Sequence, residues 1–144
     1  PFAVIRLCCY FVAYFGLCGS VRFTPRAGLC WTLALVLERA LSGFAVAAFP
    51  LAKDTGLAHT FATAADKQTV RRFLCGLSAL LVLALTALGG GGLAATALLA
   101  LWRYDSVAKK QFGGITGDLA GWFLQRAELW MLAALAVSQW GGVL

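Results

Sequence analysis

Apolar positions in this chain come in long runs rather than at the three- and four-residue spacing of a soluble amphipathic helix, and polar positions gather in short connections between them. Residues 2 to 20 are interrupted only by Arg6, which is enough helix to cross a hydrocarbon core of about 30 Å. A connection with Arg22, Pro25 and Arg26 leads to a second run, 28 to 49, ended by Pro50. Near the middle of that run stand Glu38 and Arg39. Consecutive helical positions point roughly 100° apart, so each needs protein or water of its own, either as a tie between helices or as the wall of a cavity.

Residues 51 to 72 form the longest polar connection, with Lys53, Lys67, Arg71 and Arg72 set against Asp54 and Asp66. Phe61 among alanines and threonines predicts a short interfacial helix, and Asp66 is placed to begin the next span. As one helix, residues 73 to 103 would run roughly 46 Å, well beyond the core thickness. The four glycines from Gly89 to Gly92 would each cost about 1 kcal/mol in a helix interior. They predict a hairpin of two short helices, the second reaching through Trp102 and Tyr104 to the interface. A last helix, 118 to 140, carries Trp122, Trp130 and Trp140. The predicted fold is all-α: a polytopic transmembrane bundle of about five spanning helices in a single domain, 1 to 144.

Charge gives this layout an orientation. Five passes put the 51 to 72 and 103 to 118 connections on one side with seven cations, Lys53, Lys67, Arg71, Arg72, Arg103, Lys109 and Lys110, against Arg22 and Arg26 on the other. The cation-rich side is expected to be cytoplasmic. With a single crossing at 73 to 103 the bias would nearly vanish. Of the 144 residues, 61% are hydrophobic and 12% charged, far from the quarter or so charged in soluble domains, so the partner of the chain is the lipid bilayer. The net charge of +6 sits in short connections without interleaved aromatics, which argues against nucleic acid.

Chemistry concentrates in Lys109, Lys110, Gln111, Phe112, Gly113, Gly114, Ile115, Thr116, Gly117 and Asp118. Glycines allow backbone N–H groups close to a ligand, the start of a helix offers unpaired donors, and two lysines add full charge, which together outline an anion site. The plain alternative is a chain-reversing turn with positive-inside lysines. Asp118, Gly121, Gln125 and Glu128 follow at i, i+3, i+7 and i+10 on one helical face, and ionisable groups in a span normally face a bundle interior or wet cavity. Cys8, Cys9, Cys18, Cys30 and Cys75 show no metal-ligand spacing and read as small hydrophobes, and the single His59 has no ligand partner nearby. The apolar run starts at once after Pro1 with no charged leader, so a signal peptide does not fit, and the chain is expected to be the C-terminal portion of something longer.

The run Phe112 to Asp118 with Gly121, Gln125 and Glu128 resembles the C-terminal signature of the cobalamin synthase family, adenosylcobinamide-GDP ribazoletransferase. Lys53, Asp54, Thr55, Gly56 and Leu57 with Phe61 resemble a second segment of that family, following a helix that bears an arginine, here Arg39. Ala58 stands where the family has a further glycine. The likeness extends in order over essentially the whole chain.

The resemblance implies a multi-pass transferase of the bacterial inner membrane, its active face cytoplasmic. It would join alpha-ribazole or its 5'-phosphate to adenosylcobinamide-GDP, releasing GMP and forming adenosylcobalamin or its phosphate. In the family, Mg2+ is held by an aspartate-rich motif upstream of the matched portion, and that motif is not in this sequence. On this reading Lys109, Lys110 and the amides of Gly113, Gly114 and Thr116 hold phosphates. Asp118 acts at the metal and in catalysis, Glu128 accepts a proton, Gln125 lines the cavity, and Lys53, Asp54 and Arg39 contact substrate. The rival expectation is a non-catalytic polytopic membrane protein such as a transporter subunit, with broken helices along a substrate path.

Overall fold

The computed structural model describes residues 2 to 50, 52 and 66 to 144. The Lys53 to Leu57 segment, with Lys53 and Asp54, lies outside the described residues, as do His59 and the short helix expected around Phe61. Five long helices follow one another: α1 (Phe2–Ser20), α2 (Pro25–Ala48), α3 (Lys67–Ala87), α4 (Gly91–Val107) and α5 (Gly117–Trp140), with a π-helical turn at Ala108–Phe112. No strand occurs among the described residues. The all-α bundle and its order are as the hydropathy predicts. Three helices, α1, α2 and α3, are long and apolar enough to cross a membrane, whereas α4 has 17 residues and α5 carries Asp118, Arg126 and Glu128.

Capping side chains carry the helices into polar sequence ahead of the predicted apolar runs. Pro25 and Arg26 belong to α2 rather than to the connection before it: the Thr24 hydroxyl accepts from the Ala27 N–H at 3.2 Å, and proline at the first position gives up a donor that had no partner there. α3 begins at Lys67, directly after Asp66 as expected and six residues ahead of the apolar run at 73, so Lys67, Arg71 and Arg72 lie on its first turns. Its cap is Asp66, which accepts from the Gln68 N–H at 3.2 Å and from the Thr69 hydroxyl at 2.6 Å. α4 runs four residues beyond Arg103 and passes into the π-helical turn.

α2 is the hub. It packs on α3, α4 and α5, while α4 also packs on α5, and α1 leans on α5. Small residues let these helices approach closely: Ala27, Ala34, Ala40 and Ala45 of α2, Ala94, Ala97 and Ala100 of α4, and Ala127 and Ala136 of α5 are all buried. Larger side chains fill the gaps between them, with Tyr104 stacked on Phe123 at a centroid separation of 5.0 Å. α1 has no buried residue and turns Phe11, Val12 and Phe15 outward.

The glycine run does make the hairpin. Gly89 has φ +82°, a left-handed conformation that suits a residue without Cβ, and the Gly90 N–H donates to Leu85 O at 2.7 Å. At that end the connections are fastened to one another. Arg26 Nε donates to Leu88 O at 2.8 Å. The Gln139 amide holds Arg22 both ways, accepting its N–H at 2.9 Å and donating to its carbonyl at 2.6 Å. The opposite end is joined by a short seam, in which the Ile115 N–H donates to Pro50 O at 2.9 Å and the Ala52 N–H to Ile115 O at 3.0 Å. The end of α2 and the glycine turn before α5 therefore share one mouth, as the five-pass layout requires.

Candidate functional site

The mouth is built from the π-helical turn, the glycine turn after it and the first turn of α5. Gly113, at φ +69°, ends the π-helical turn, and both its N–H and that of Gly114 donate to Ala108 O. These two amides are thus committed to the turn itself. Thr116 caps α5, its hydroxyl accepting from the Leu119 N–H at 3.2 Å. Asp118 stands exposed in the first turn, where a carboxylate complements the helix dipole. The buried Ile115 anchors the seam from below.

The two lysines part ways. Lys109 Nζ lies 2.7 Å from Asp105 Oδ2, one helical turn back, and 5.7 Å from the centroid of Phe49. Lys110 lines a hollow of about 270 Å³ with Trp102, Arg103, Ser106, Val107 and Gln111 on the outer side of α4. Asp105 had no place in the sequence-based site. Its signal was the i, i+4 spacing to Lys109, visible only if α4 is carried past Arg103.

A second cluster sits mid-bundle, roughly 15 Å along α5 from its start. Arg39 Nη2 lies 3.0 Å from Glu128 Oε1 and 3.5 Å from Glu38 Oε1, and the Tyr10 hydroxyl donates to Glu128 Oε2 at 3.3 Å. Glu38 is fully buried, and neither of its carboxylate oxygens has a hydrogen-bond partner among the described residues. Arg39 therefore joins Glu128, linking α1, α2 and α5, rather than Lys109 or the glycine turn. Of the alternatives for Glu38 and Arg39, the tie between helices describes Arg39. Tyr10 was missed; a tyrosine in the middle of a span, away from the interface where such rings usually sit, was its signal.

Gln125 lies on the face of α5 turned to α1. There a cavity of about 370 Å³ is lined by Arg6, Tyr10, Trp122, Gln125 and Arg126, among others. Asp118, Trp122, Gln125 and Leu129 recur at i, i+4, i+7 and i+11, so one stripe runs from the mouth into this cavity.

The donor set tests a magnesium site directly. Among the described residues no three of histidine, cysteine, aspartate or glutamate come together as ligands. Near the glycine turn Asp105 is engaged by Lys109, and among the described residues Asp118 belongs to no cluster of ligands. One carboxylate is a partial set for an ion that wants near-octahedral oxygen, so the residues present do not complete such a site.

Fold and site together define a multi-pass helical membrane protein with a basic, glycine-turned mouth and ionisable groups tied across its centre. The chain belongs to the cobalamin-5-phosphate synthase family, whose model matches residues 1–136. It is similar to the adenosylcobinamide-GDP ribazoletransferase of Lachnoclostridium phytofermentans, with 41% identity over 94% of this chain and 52% of that protein. The protein of the same name from Roseiflexus sp. is 35% identical over 81% of this chain and 44% of its own length. The chain thus spans about half the length of the curated relatives it matches. No solved structure matches it. Family membership does not favour the transporter-subunit reading.

Proposed function

We propose that this chain is the part of a membrane ribazoletransferase that holds a pyrophosphate at its mouth. The reaction joins alpha-ribazole or its 5'-phosphate to adenosylcobinamide-GDP and releases GMP. The observation that carries this reading is the seam between Pro50, Ala52 and Ile115, which sets the end of α2 beside the cation-bearing turn and the start of α5 in a chain of this family. Attack of a hydroxyl on a pyrophosphate asks little covalent work of the protein; it asks for alignment and for positive charge on the phosphoryl oxygens.

Lys110 and the first-turn N–H groups of α5, with Thr116 as their cap, supply that charge, and Lys109 contributes as it exchanges Asp105 for phosphate. Lys53 and Asp54 extend the substrate contacts, and Gln125 lines the deeper part of the path. Arg39 acts through Glu128, holding its carboxylate in the middle of the bundle roughly 15 Å from the start of α5, so this pair positions the helices and does not take a proton at the mouth. Magnesium, when bound, would neutralise phosphoryl charge, with Asp118 as one oxygen ligand. The mouth faces the cytoplasm of a bacterial inner membrane, a reading supported by Lys67, Arg71, Arg72, Arg103, Lys109 and Lys110, the basic residues of the two connections among the described residues.

GMP release by the full-length enzyme tests the reading. Asp118→Asn is expected to lower turnover about a hundredfold, and Lys110→Gln to raise KM for the GDP-linked substrate about tenfold. Wild-type turnover in Asp118→Asn would remove Asp118 from the mechanism.

A further inference from the structure

The cavity between α1 and α5 holds two arginines that have no part in gripping the pyrophosphate at the mouth. Arg6, on the second turn of α1, and Arg126, in the first half of α5, both line it, with Gln125 the neutral polar group beside them. Arg126 is held in orientation by Trp122, its guanidinium carbon 5.7 Å from the ring centroid. Neither arginine forms an ion pair among the described residues, whose three salt bridges involve only Arg39 and Lys109 as cations. Glu128, close by on the same helix, is already engaged by Arg39 and by the Tyr10 hydroxyl.

Arg6 and Arg126 are both exposed along a hollow that has no carboxylate among its lining residues, and arginine inside a spanning helix is costly unless it faces a wet cavity or a counter-charge. Among anions, phosphate matches the planar donor fork of arginine best. A volume of about 370 Å³ falls at the small end of ligand pockets and accommodates a phosphate with part of its ester group. Trp122 and Tyr10 provide aromatic walls for that group.

We propose that the α1–α5 cavity is a phosphoester-binding site in which Arg6 and Arg126 hold the phosphate and Trp122 and Tyr10 flank the group that bears it. The site lies about two turns along α5 from the glycine turn and shares Gln125 with the path proposed above, so it rests in part on that reading, while its occupancy is measured without transfer. Its phosphate comes from a soluble nucleotide or from the headgroup of an anionic lipid.

Cys9 lines the same cavity and is exposed, so it serves as a local reporter. The full-length protein, with its other cysteines replaced, is placed in phosphatidylcholine nanodiscs, and alkylation of Cys9 by a small maleimide is timed with and without GMP or inorganic pyrophosphate. Protection by either probe is expected, with Arg6→Gln and Arg126→Gln each needing about tenfold more of it and Arg126→Lys restoring part of the effect. Arg22→Gln, at the opposite end, is expected to behave as wild type. In discs containing phosphatidylglycerol, protection of the wild type without added anion, relieved by either glutamine variant, assigns the phosphate to lipid. Protection that appears only with the soluble probes assigns it to a nucleotide. Absence of protection in both settings, or equal protection in wild type and both glutamine variants, overturns the proposal.

Discussion

Arg39 of α2 and Glu128 of α5, 89 positions apart in the chain, meet at 3.0 Å in the middle of the bundle, and Glu38 shares the same guanidinium at 3.5 Å. Two carboxylates divide one cation, and the fully buried one has no hydrogen bond of its own among the described residues. Removing the cation and removing the extra anion should therefore act in opposite directions.

Arg39→Gln is expected to destabilise the protein by about 1–3 kcal/mol, a value discounted because the Arg39 side chain is 57% exposed. Glu38→Gln should leave stability unchanged or raise it, since it takes away a buried charge that lacks a hydrogen bond. Thermal unfolding in detergent measures both. A larger loss in Glu38→Gln than in Arg39→Gln would mean that Arg39 serves Glu38 first.

The four hairpin glycines are not equivalent. A Cβ on Gly89 would lie 2.8 Å from Arg26 Nη2 on a left-handed backbone, while one on Gly91 would meet only Thr86 Cγ2 at an ordinary 3.6 Å. Gly89→Ala is expected to cost about 1–2 kcal/mol, and Gly91→Ala, in the first turn of α4, to be neutral or to gain up to about 1 kcal/mol. Melting temperatures of the two variants check the sign.

Asp66 titrates below the ordinary aspartate range, first because the Thr69 hydroxyl donates to its charged form and then because the Gln68 N–H does. A carboxyl whose folded value is lowered adds stability above its unfolded value and loses it as pH falls through the folded one. Fraying of the start of α3 should thus begin only under clearly acidic conditions. Asp66→Asn, which keeps a capping oxygen, should flatten that acid dependence, as amide exchange at Gln68 and Thr69 against pH would reveal.

Single cysteines at Ala52 and Lys110, in a background cleared of native cysteines, are expected to react with an impermeant thiol reagent from the same side of the membrane, and one at Gly141 from the other. Labelling of the first two from opposite sides would break the five-pass order.

Much of this was legible in the chain. Long apolar runs name the helices, and four consecutive glycines are so poor in a helix that a hairpin at Gly89 was readable from composition. The cap at Asp66 was visible too, but beginning α3 there meant trusting one local hydrogen bond over five polar residues, Lys67, Gln68, Thr69, Arg71 and Arg72. Partners were the harder part. Whether Lys109 is free depends on α4 reaching Asp105, and the register that brings Arg39 to Glu128 depends on how α2 and α5 cross, which no local pattern encodes. Tyr10 and Arg6 were hidden for the same reason: in α1 they look like interruptions until α5 is laid beside them.

The ends of the bundle are fastened unequally. Gln139 grips Arg22 by both its donor and its acceptor, and Arg26 reaches across to Leu88, whereas at the mouth two hydrogen bonds around Ile115 span the gap among the described residues. Such an arrangement works like a pair of tongs with its fulcrum at the glycine hairpin. Any widening of the mouth would therefore begin at Ile115, while the riveted end keeps the arms in register.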